Sequence, residues 1–366
     1  MSNRVRYFYR RQISQRIGRV LQAALTRTTI TGLENIPRRG PYIAVGNHSA
    51  AIEVALLVVN LPHVPELIGN GDVPFDPTFN FMAQWYRFIP IRRGHIDREA
   101  LRAAREVLEQ GNVLGIFPEG GIWDHHADEA RPGVAWLSQQ TGAPILPIGF
   151  GGMFGAIGNA MRLKRPRLSM SIGQLIPPVP NPPSVRERRA AINDASQEIM
   201  RRIHALMPVE TRASDSQVLE ERYAFRTEIT MPDGLPVFVP PDLEIPYGED
   251  LAYYFHHDVL LEVVYRNYKL LEAKPLSQYA TLTDPAKLGA ALDAAIRFYE
   301  GDPIFLGYRL GYNRAERVVE ALRALRAQIA WAELQGFQVR VLPERTIMKA
   351  GGQSETLIAA SVRRNY

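Results

Sequence analysis

An apolar run, a short polar turn and the start of a second apolar run follow one another in Tyr42-Ile43-Ala44-Val45-Gly46-Asn47-His48-Ser49-Ala50-Ala51-Ile52-Glu53. The first run is short and contains aromatic and β-branched residues, which is typical of a buried strand. The second run continues to about residue 60 and is long enough for a helix. The sequence therefore predicts a strand that ends at a histidine and is followed directly by a helix.

The same alternation of short apolar runs and helical patterns continues from residue 35 to about residue 207. It predicts an α/β fold in which helices flank a mixed sheet. The predicted helices lie at about 50–60, 76–86, 97–110, 132–141 and 184–206. The predicted strands lie at 42–46, 66–69, 88–92, 113–117, 145–150 and 168–176.

The composition limits the class of protein and the kinds of site. The chain has 366 residues, of which 46% are hydrophobic and 22% charged, so it can bury a full core. It contains no cysteine, which excludes disulfides, thiolate nucleophiles and zinc sites with cysteine ligands. Its apolar runs are shorter than the ~18 residues that a membrane-spanning helix needs, so we expect no such helix.

The first 28 residues are strongly basic, because seven arginines precede the first acidic residue, Glu34. Apolar residues recur among them at helical spacing, which predicts a basic amphipathic helix over residues 1–28 that lies on an anionic membrane surface. The alternatives are a basic helix packed on its own domain and an organelle presequence. Nucleic acid is not expected as a partner, because no recognised nucleic-acid motif accompanies the charge. The apolar positions are Tyr9, Ile13, Ile17, Val20 and Ala24.

We expect the next domain to cover residues 29–207, because a proline cluster at 177–183 marks the exit from its last strand. Residues 208–366 are then a C-terminal domain of mixed α+β structure. Helical patterns near 284–300 and 314–335 and a turn at Pro232-Asp233-Gly234 are its clearest features. None of them indicates a function for this domain.

His48 and Glu53 form the most informative pair. They share a face only if His48 lies in the turn before the helix, and Ser49 is then the expected N-cap. A carboxylate beside the imidazole would fix its tautomer and stabilise the imidazolium formed when the other nitrogen takes a proton. The pair therefore predicts a general base. The alternative is a structural histidine, with Glu53 favoured by the helix dipole.

Two further turns follow predicted strands and bear charged residues. Phe117-Pro118-Glu119-Gly120 would bring a carboxylate to the same edge of the sheet as His48. Arg92 and Arg93 end another strand and are suited to a bidentate grip on phosphate. These residues predict a polar site at one sheet edge, although an ordinary turn and surface solvation would also account for them separately.

Four ordered segments together resemble the motifs of the glycerolipid acyltransferase superfamily. The resemblance covers roughly residues 30 to 205 and implies a fold like that of glycerol-3-phosphate acyltransferase. It implies acyl transfer from acyl-CoA or acyl carrier protein to a lysophospholipid-like acceptor, with 1-acylglycerol-3-phosphate as the expected one. The four segments are Asn47-His48-Ser49 with Glu53, Ile89-Pro90-Ile91-Arg92-Arg93, Phe117-Pro118-Glu119-Gly120 and Ile145-Leu146-Pro147-Ile148.

The resemblance also implies roles for single residues. His48 would be the base and Glu53 its partner, whereas Pro147 and Ile148 would belong to the acyl-donor pocket. No metal or other cofactor is implied, and the expected location is peripheral, on the cytoplasmic face of a membrane. The residues implied in acceptor binding are Arg92, Arg93, Glu119 and Gly120.

The sequence departs from the family pattern at two places. The usual aspartate is Glu53 here, and the arginine commonly found soon after the Phe-Pro-Glu-Gly motif is missing. Arg131 is the expected substitute, and the acceptor could instead be a glycolipid or another lipid. A non-catalytic lipid-binding or scaffold protein that keeps the fold is the main alternative function. A metal-dependent hydrolase centred on His125 and His126 is a weaker one.

Overall fold

The structure is a computed structural model. It describes residues 3–71, 80–94, 96–121, 130–153, 155–209, 211, 218–256, 285–349 and 354–358. All structural statements below concern these residues.

A seven-stranded sheet forms the centre of the N-terminal part. Its strands lie in the order β1-β7-β6-β2-β5-β3-β4, and the neighbours are parallel except for the antiparallel pair β6–β7. The predicted mixed sheet is therefore confirmed. The strands are β1 Arg27–Thr31, β2 Tyr42–Gly46, β3 Glu66–Asn70, β4 Ile89–Ile91, β5 Val113–Ile116, β6 Ile145–Gly151 and β7 Arg167–Ile172.

Helices cover both faces of this sheet. Successive residues of a strand point to opposite faces, so Tyr42 and Ala44 pack in one core cluster while Ile43 and Val45 pack in the other. The first cluster includes side chains of α2 and α6, and the second includes side chains of α4, α5 and α7. These helices are α2 Ile52–Asn60, α3 Asn80–Tyr86, α4 Arg98–Glu109, α5 Gly133–Thr141, α6 Ala156–Met161 and α7 Val185–Leu206.

The N-terminal helix α1, Asn3–Leu25, packs on α2 and α3 through a polar face. The amide of Gln15 is buried and donates to the carbonyl oxygens of Val58 and Leu61, at 2.9 and 2.7 Å. Gly18 allows close approach, because a Cβ built there would lie 2.5 Å from a methyl carbon of Val59. Arg11 and Arg19 also donate to the carbonyl oxygens of Tyr86 and Val59, so side-chain amides, arginines and a glycine attach α1 to the domain.

The apolar stripe of α1 consequently faces away from the domain. Ile13, Ile17 and Val20 are exposed by 47%, 55% and 69%, although such a stripe normally faces a core. The helix ends at Leu25 rather than near residue 28. The chain then turns into the edge strand β1, which pairs with β7 and which the sequence did not predict.

The C-terminal part contains a three-stranded antiparallel sheet and a helical layer, which confirms its predicted α+β class. The helical pattern near 314–335 forms the last helix, in which Val318, Leu322 and Leu325 lie on one face and have no exposed surface. The region near Pro232-Asp233-Gly234 is a tight turn, in which the Gly234 amide donates to the Met231 carbonyl oxygen. The elements are β8 Val218–Thr230, β9 Gln338–Lys349, β10 Ser354–Ile358, α8 Gly248–His256, α9 Pro285–Gly301, α10 Pro303–Leu310 and α11 Tyr312–Leu334.

Within the described ranges, no helix combines the length and the apolar character needed to cross a bilayer. The division of the chain at residues 28 and 207 into three domains stays a prediction.

Candidate active site

Three loops meet at the edge of the sheet where β2, β4 and β5 end. These strands run parallel to one another through β3, so their carboxyl ends lie on the same side. The loop at 47–51 follows β2, the turn at 92–94 follows β4, and the turn at 117–121 follows β5. The predicted site residues His48, Arg93 and Gly120 are therefore brought to one edge.

His48 contacts Glu53 directly. The distance from His48 Nδ1 to Glu53 Oε2 is 2.9 Å, and the Glu53 side chain is fully buried. The expected geometry is confirmed, because His48 lies in the loop and α2 begins at Ile52. Glu53 also accepts hydrogen bonds from the backbone N–H groups of Ser49 and Ala50. This set of donors stabilises the negative charge of the carboxylate.

Ser49 is not the N-cap of α2. Ala51 takes that position without a side-chain hydrogen bond, and the Ser49 hydroxyl instead donates to Glu53 Oε1 at 2.6 Å. The reason is that Glu53, in the first turn of α2, reaches back to the loop and collects its donors. Ser49 therefore helps to hold the Glu53 carboxylate, and its predicted role as the N-cap of α2 is wrong.

The pairing with Glu53 determines which nitrogen of His48 can act as a base. A carboxylate accepts hydrogen bonds, so Nδ1 carries the proton and Nε2 has the lone pair. The imidazole stacks on the Phe117 ring with a centroid distance of 4.2 Å, and 16% of the His48 side chain is exposed. His48 lines the cavity described below, so its imidazole is held rigidly at a surface that a substrate can reach.

Glu119 and Gly120 shape the loop beside His48. Glu119 is buried, and its Oε1 accepts a hydrogen bond from the backbone N–H of His48 at 2.9 Å. Gly120 has φ +75°, and its N–H donates to the Phe117 carbonyl oxygen to close the turn. Gly120 lines the cavity. Glu119 therefore positions the His48 loop, and its predicted contact with substrate stays a prediction.

Asn47 has a structural role that the sequence interpretation missed. Its side chain is buried, its Nδ2 donates to the Phe150 carbonyl oxygen at 3.3 Å, and its Oδ1 accepts from the Phe150 N–H at 2.7 Å. Asn47 therefore joins the end of β2 to β6 immediately before His48. An asparagine at a strand end beside a candidate base is the signal that could have indicated this.

A cavity of about 1220 Å³ opens beside His48. Its apolar wall includes Val54, Phe88 and Trp136. Seven arginines from four separate segments line it together with one aspartate, Asp97, so its lining carries a net positive charge. The arginines are Arg92, Arg93, Arg98, Arg102, Arg105, Arg131 and Arg309.

The arginines predicted for acceptor binding differ in their surroundings. Arg92 is exposed, and its backbone N–H donates to Asp97, which also caps α4. Arg93 is partly buried and lies against Gly121. The guanidinium of Arg131 lies over the ring of Tyr308, 4.6 Å from its centroid. All three line the cavity of His48, and their contact with an acceptor stays a prediction.

Pro147 and Ile148 lie in the buried strand β6, next to β2. Ile148 packs in the core cluster that contains Tyr42 and Phe150. The cavity lining includes neither of these two described residues, so a role in an acyl-donor pocket stays a prediction.

Metal ligation finds no support among the residues that can be described, since none of them form a cluster of three or more possible ligands. The cluster around His125 and His126 lies outside those residues, as do His257 and Asp258. His256 is a core residue whose Nε2 lies 3.1 Å from the Pro343 carbonyl oxygen. Burial lowers the pKa of His256 to about 4, so it is neutral at physiological pH.

Part of the chain that contains this site is similar to a known protein family. Residues 27–151 match the model of the family described as Acyltransferase. This segment begins at β1 and ends with β6, so it includes His48, Glu53, Glu119 and the arginines at 92 and 93. The C-terminal part lies outside it.

Two named proteins are similar to parts of the chain. The 1-acyl-sn-glycerol-3-phosphate acyltransferase of Borreliella burgdorferi is 27% identical over 123 residues, which is 32% of this chain and 49% of that protein. The chain thus spans about half the length of this curated relative. The crystal structure of the 1-acyl-sn-glycerophosphate acyltransferase PlsC from Thermotoga maritima is 21% identical, with a TM-score of 0.39 over 56% of this chain and 84% of that one.

Proposed function

Because residues 27–151 form a domain of the PlsC-like glycerolipid acyltransferase superfamily, we propose that the protein transfers a fatty acyl group from a thioester to a lipid hydroxyl. The donor is acyl-CoA or acyl carrier protein. The acceptor is a lysophospholipid-like molecule, with 1-acylglycerol-3-phosphate first among the candidates. The observation that carries the proposal is the His48–Glu53 pair at 2.9 Å on the wall of an arginine-lined cavity.

In the proposed reaction, His48 Nε2 takes the proton of the acceptor hydroxyl as its oxygen attacks the thioester carbonyl carbon. A carbon–oxygen bond forms, the carbon–sulfur bond breaks, and the imidazolium returns the proton to the departing thiolate. Buried Glu53 stabilises the imidazolium and holds the ring with Nε2 towards the cavity. No acyl-enzyme intermediate and no cofactor is needed.

The cavity supports a lipid with an anionic head group as the acceptor. Apolar side chains such as Val54, Phe88 and Trp136 suit an acyl chain. Arginine presents a fork of donors that matches the oxygen atoms of a phosphate. The two properties occur in one cavity, which is the combination that an acylated phosphate ester requires.

Acceptor-dependent release of free thiol tests this proposal. With 1-acylglycerol-3-phosphate present, the wild-type protein is expected to release thiol from acyl-CoA or acyl carrier protein and to form the diacylated product. Thiol release would be followed with a chromogenic disulfide reagent, which suits a protein without cysteine. The product would be identified by mass spectrometry.

Reactions without acceptor, and with a lysoglycolipid acceptor, are the controls. A product only from the glycolipid would change the acceptor and keep acyl transfer. A protein that binds lipid vesicles but forms no acylated product from either donor would favour the non-catalytic lipid-binding alternative.

The exposed face of α1 supports the proposal of peripheral attachment to a membrane surface, for which the expected side is the cytoplasmic face. Ile13, Ile17 and Val20 point outwards and Arg16 is exposed beside them, whereas Arg19 donates from its Nε to the Val59 carbonyl oxygen on the docking side. Exposed apolar side chains next to an arginine match the boundary between acyl chains and anionic head groups. The contacts that attach α1 to the domain leave this face uncovered.

Replacing Ile17 and Val20 together by aspartate is expected to weaken sedimentation with anionic phospholipid vesicles by at least about 10-fold. Each change removes ~1.5–3 kcal/mol of apolar burial and adds a charge repelled by the lipid. The docking face through Gln15 is untouched, so the melting temperature should stay unchanged. Leu334→Asp, at a residue that is 85% exposed on α11, is the matched control. Equal binding of the double variant and the control would contradict the proposal.

A further inference from the structure

Helix α10 of the C-terminal part packs against the loops of the candidate active site. A Cβ built on Gly94 would lie 3.0 Å from Tyr308 Cβ and 3.1 Å from Ile304 Cγ2, so α10 touches the turn after β4. Tyr308 also donates a hydrogen bond to the Gly120 carbonyl oxygen at 3.3 Å, so α10 touches the turn after β5 as well. Tyr308 and Arg309 line the cavity that contains His48.

Arg309 and Arg93 lie against the same glycine. A Cβ built on Gly121 would lie 2.6 Å from Arg309 Nη1 and 3.2 Å from Arg93 Nη1. Gly121 therefore leaves space that two guanidinium groups occupy. One of these groups comes from the predicted acceptor-binding motif and the other from the C-terminal part.

Tyr308 connects this pair to a third arginine. The guanidinium of Arg131 lies over the Tyr308 ring, 4.6 Å from its centroid, and the Arg131 Cγ would be 3.3 Å from a Cβ on Gly120. Tyr308 is thus a positioning residue, because it holds Arg131 through its ring face and Gly120 through its hydroxyl. Arg93, Arg131 and Arg309 converge on the turn at 117–121.

The three groups match a phosphate monoester better than a neutral head group. A phosphate monoester carries nearly two negative charges at neutral pH and presents three acceptor oxygens. Arginine donates through a planar fork that can engage two of these oxygens at once. Three guanidinium groups from three separate segments near Gly120 and Gly121 therefore offer enough donors for all the oxygens of a terminal phosphate.

We propose that Arg309 binds the phosphate of the acceptor together with Arg93 and Arg131, so that the C-terminal part completes the acceptor site. This inference rests on the proposed acyl transfer for the identity of the ligand, but not for the presence of a phosphate site. Arg131, the expected substitute for the arginine missing after the Phe-Pro-Glu-Gly motif, then shares the site with an arginine of the C-terminal part. This arrangement also gives the C-terminal part, which lies outside the matched segment at 27–151, a role in substrate choice.

Binding of glycerol 3-phosphate and inorganic phosphate tests the site without any turnover. Both ligands are expected to raise the melting temperature of the full-length protein, and Arg309→Gln is expected to raise the half-saturating concentration at least 10-fold. Arg309→Lys keeps the positive charge but loses the planar fork of donors. Its half-saturating ligand concentration should therefore lie between those of the wild type and Arg309→Gln. The matched control is Arg323→Gln, which removes an exposed arginine paired with Glu300 on α9.

Gly121→Ala gives a second test that removes no charge. The added methyl group would displace the guanidinium ends of Arg309 and Arg93, and the backbone at 121 has no left-handed angle to oppose the change. We expect phosphate binding to weaken in this variant while the melting temperature without ligand stays the same. An Arg309→Gln protein that responds to phosphate like the control would overturn the inference. So would a wild-type protein that shows no response.

Kinetics separate this inference from the proposed function. In an active enzyme, Arg309→Gln should raise the KM for 1-acylglycerol-3-phosphate at least 10-fold and leave the KM for the thioester donor unchanged. With a monoacylglycerol acceptor, which has no phosphate, the rise in KM caused by Arg309→Gln should be much smaller than with 1-acylglycerol-3-phosphate. If no acceptor is acylated but phosphate binding still depends on Arg309, acyl transfer fails and the phosphate site stands.

Discussion

The His48→Ala variant is expected to lose about 10³-fold in acceptor-dependent turnover while it keeps its fold. Among the residues whose positions are described, His48 is the only histidine that lines the cavity, and a buried carboxylate contacts its Nδ1. Without the imidazole, the acceptor hydroxyl has to attack as a neutral and weaker nucleophile. Turnover would be measured as product formed per enzyme at saturating donor and acceptor.

His63→Ala is the matched control for this experiment. His63 lies just beyond the carboxyl end of α2, where its Nδ1 is 3.5 Å from the Tyr42 hydroxyl, and it does not line the described part of the cavity. Its removal should change turnover less than about 3-fold, within the usual spread for residues outside a site. If His48→Ala turns over as fast as His63→Ala, the proton acceptor lies elsewhere and the proposed mechanism is wrong.

Glu53→Gln is expected to reduce turnover by at least about 10²-fold and to destabilise the fold by about 1–3 kcal/mol. The amide can accept at only one of its two positions. At the position of Oε2, its NH₂ group would meet the N–H groups of Ser49 and Ala50, and at the position of Oε1 it would still meet the N–H group of Ser49. His48 would also lose the carboxylate that fixes its tautomer.

Two measurements distinguish the roles of Glu53. Thermal unfolding reports the buried hydrogen bonds, and turnover of the folded fraction reports the effect on His48. Glu53→Asp keeps the charge and matches the usual residue of the family, so its turnover should fall much less than that of Glu53→Gln. A stable Glu53→Gln protein with normal turnover would show that the carboxylate serves neither purpose.

Much of the N-terminal fold could be predicted from the sequence because its strands are buried on both faces. Runs such as Tyr42–Gly46 and Ile145–Gly151 are apolar throughout and are separated by helices of ordinary length. The edge strand Arg27–Thr31 was missed because its alternate residues are exposed and its composition is polar. The residue preferences that identify strands in a sequence depend largely on burial, and this edge strand contains no buried residue.

The candidate base was predictable because its parts are neighbours in the chain. His48 lies in the loop before α2 and Glu53 is the second residue of that helix, so their contact follows from local geometry. The contribution of Ser49 was misplaced, because a serine before a helix normally caps it. Here the stronger acceptor, Glu53, takes the hydroxyl.

Arg309 could not be found in the same way. Its place beside Gly121 results from the packing of α10 on loops that lie almost 190 residues earlier, as the Tyr308–Gly120 hydrogen bond shows. No local pattern reports such a contact. The sequence also could not show that the apolar stripe of α1 faces away from the domain. The spacing of apolar residues shows that they share one face of the helix, but not whether that face packs on the domain.

Helix α2 forms hydrogen bonds with a different partner at each of its two ends. Its carboxyl end receives the amide of Gln15 from α1, and its amino end holds the imidazole of His48 through Glu53. Its nine residues, each rising about 1.5 Å, give the helix a length of roughly 14 Å. The loop that bears His48 is fixed to the sheet through Asn47 and Glu119, so adding or deleting one turn of α2 would change the distance between its ends by about 5 Å and break the contacts of either Gln15 or Glu53.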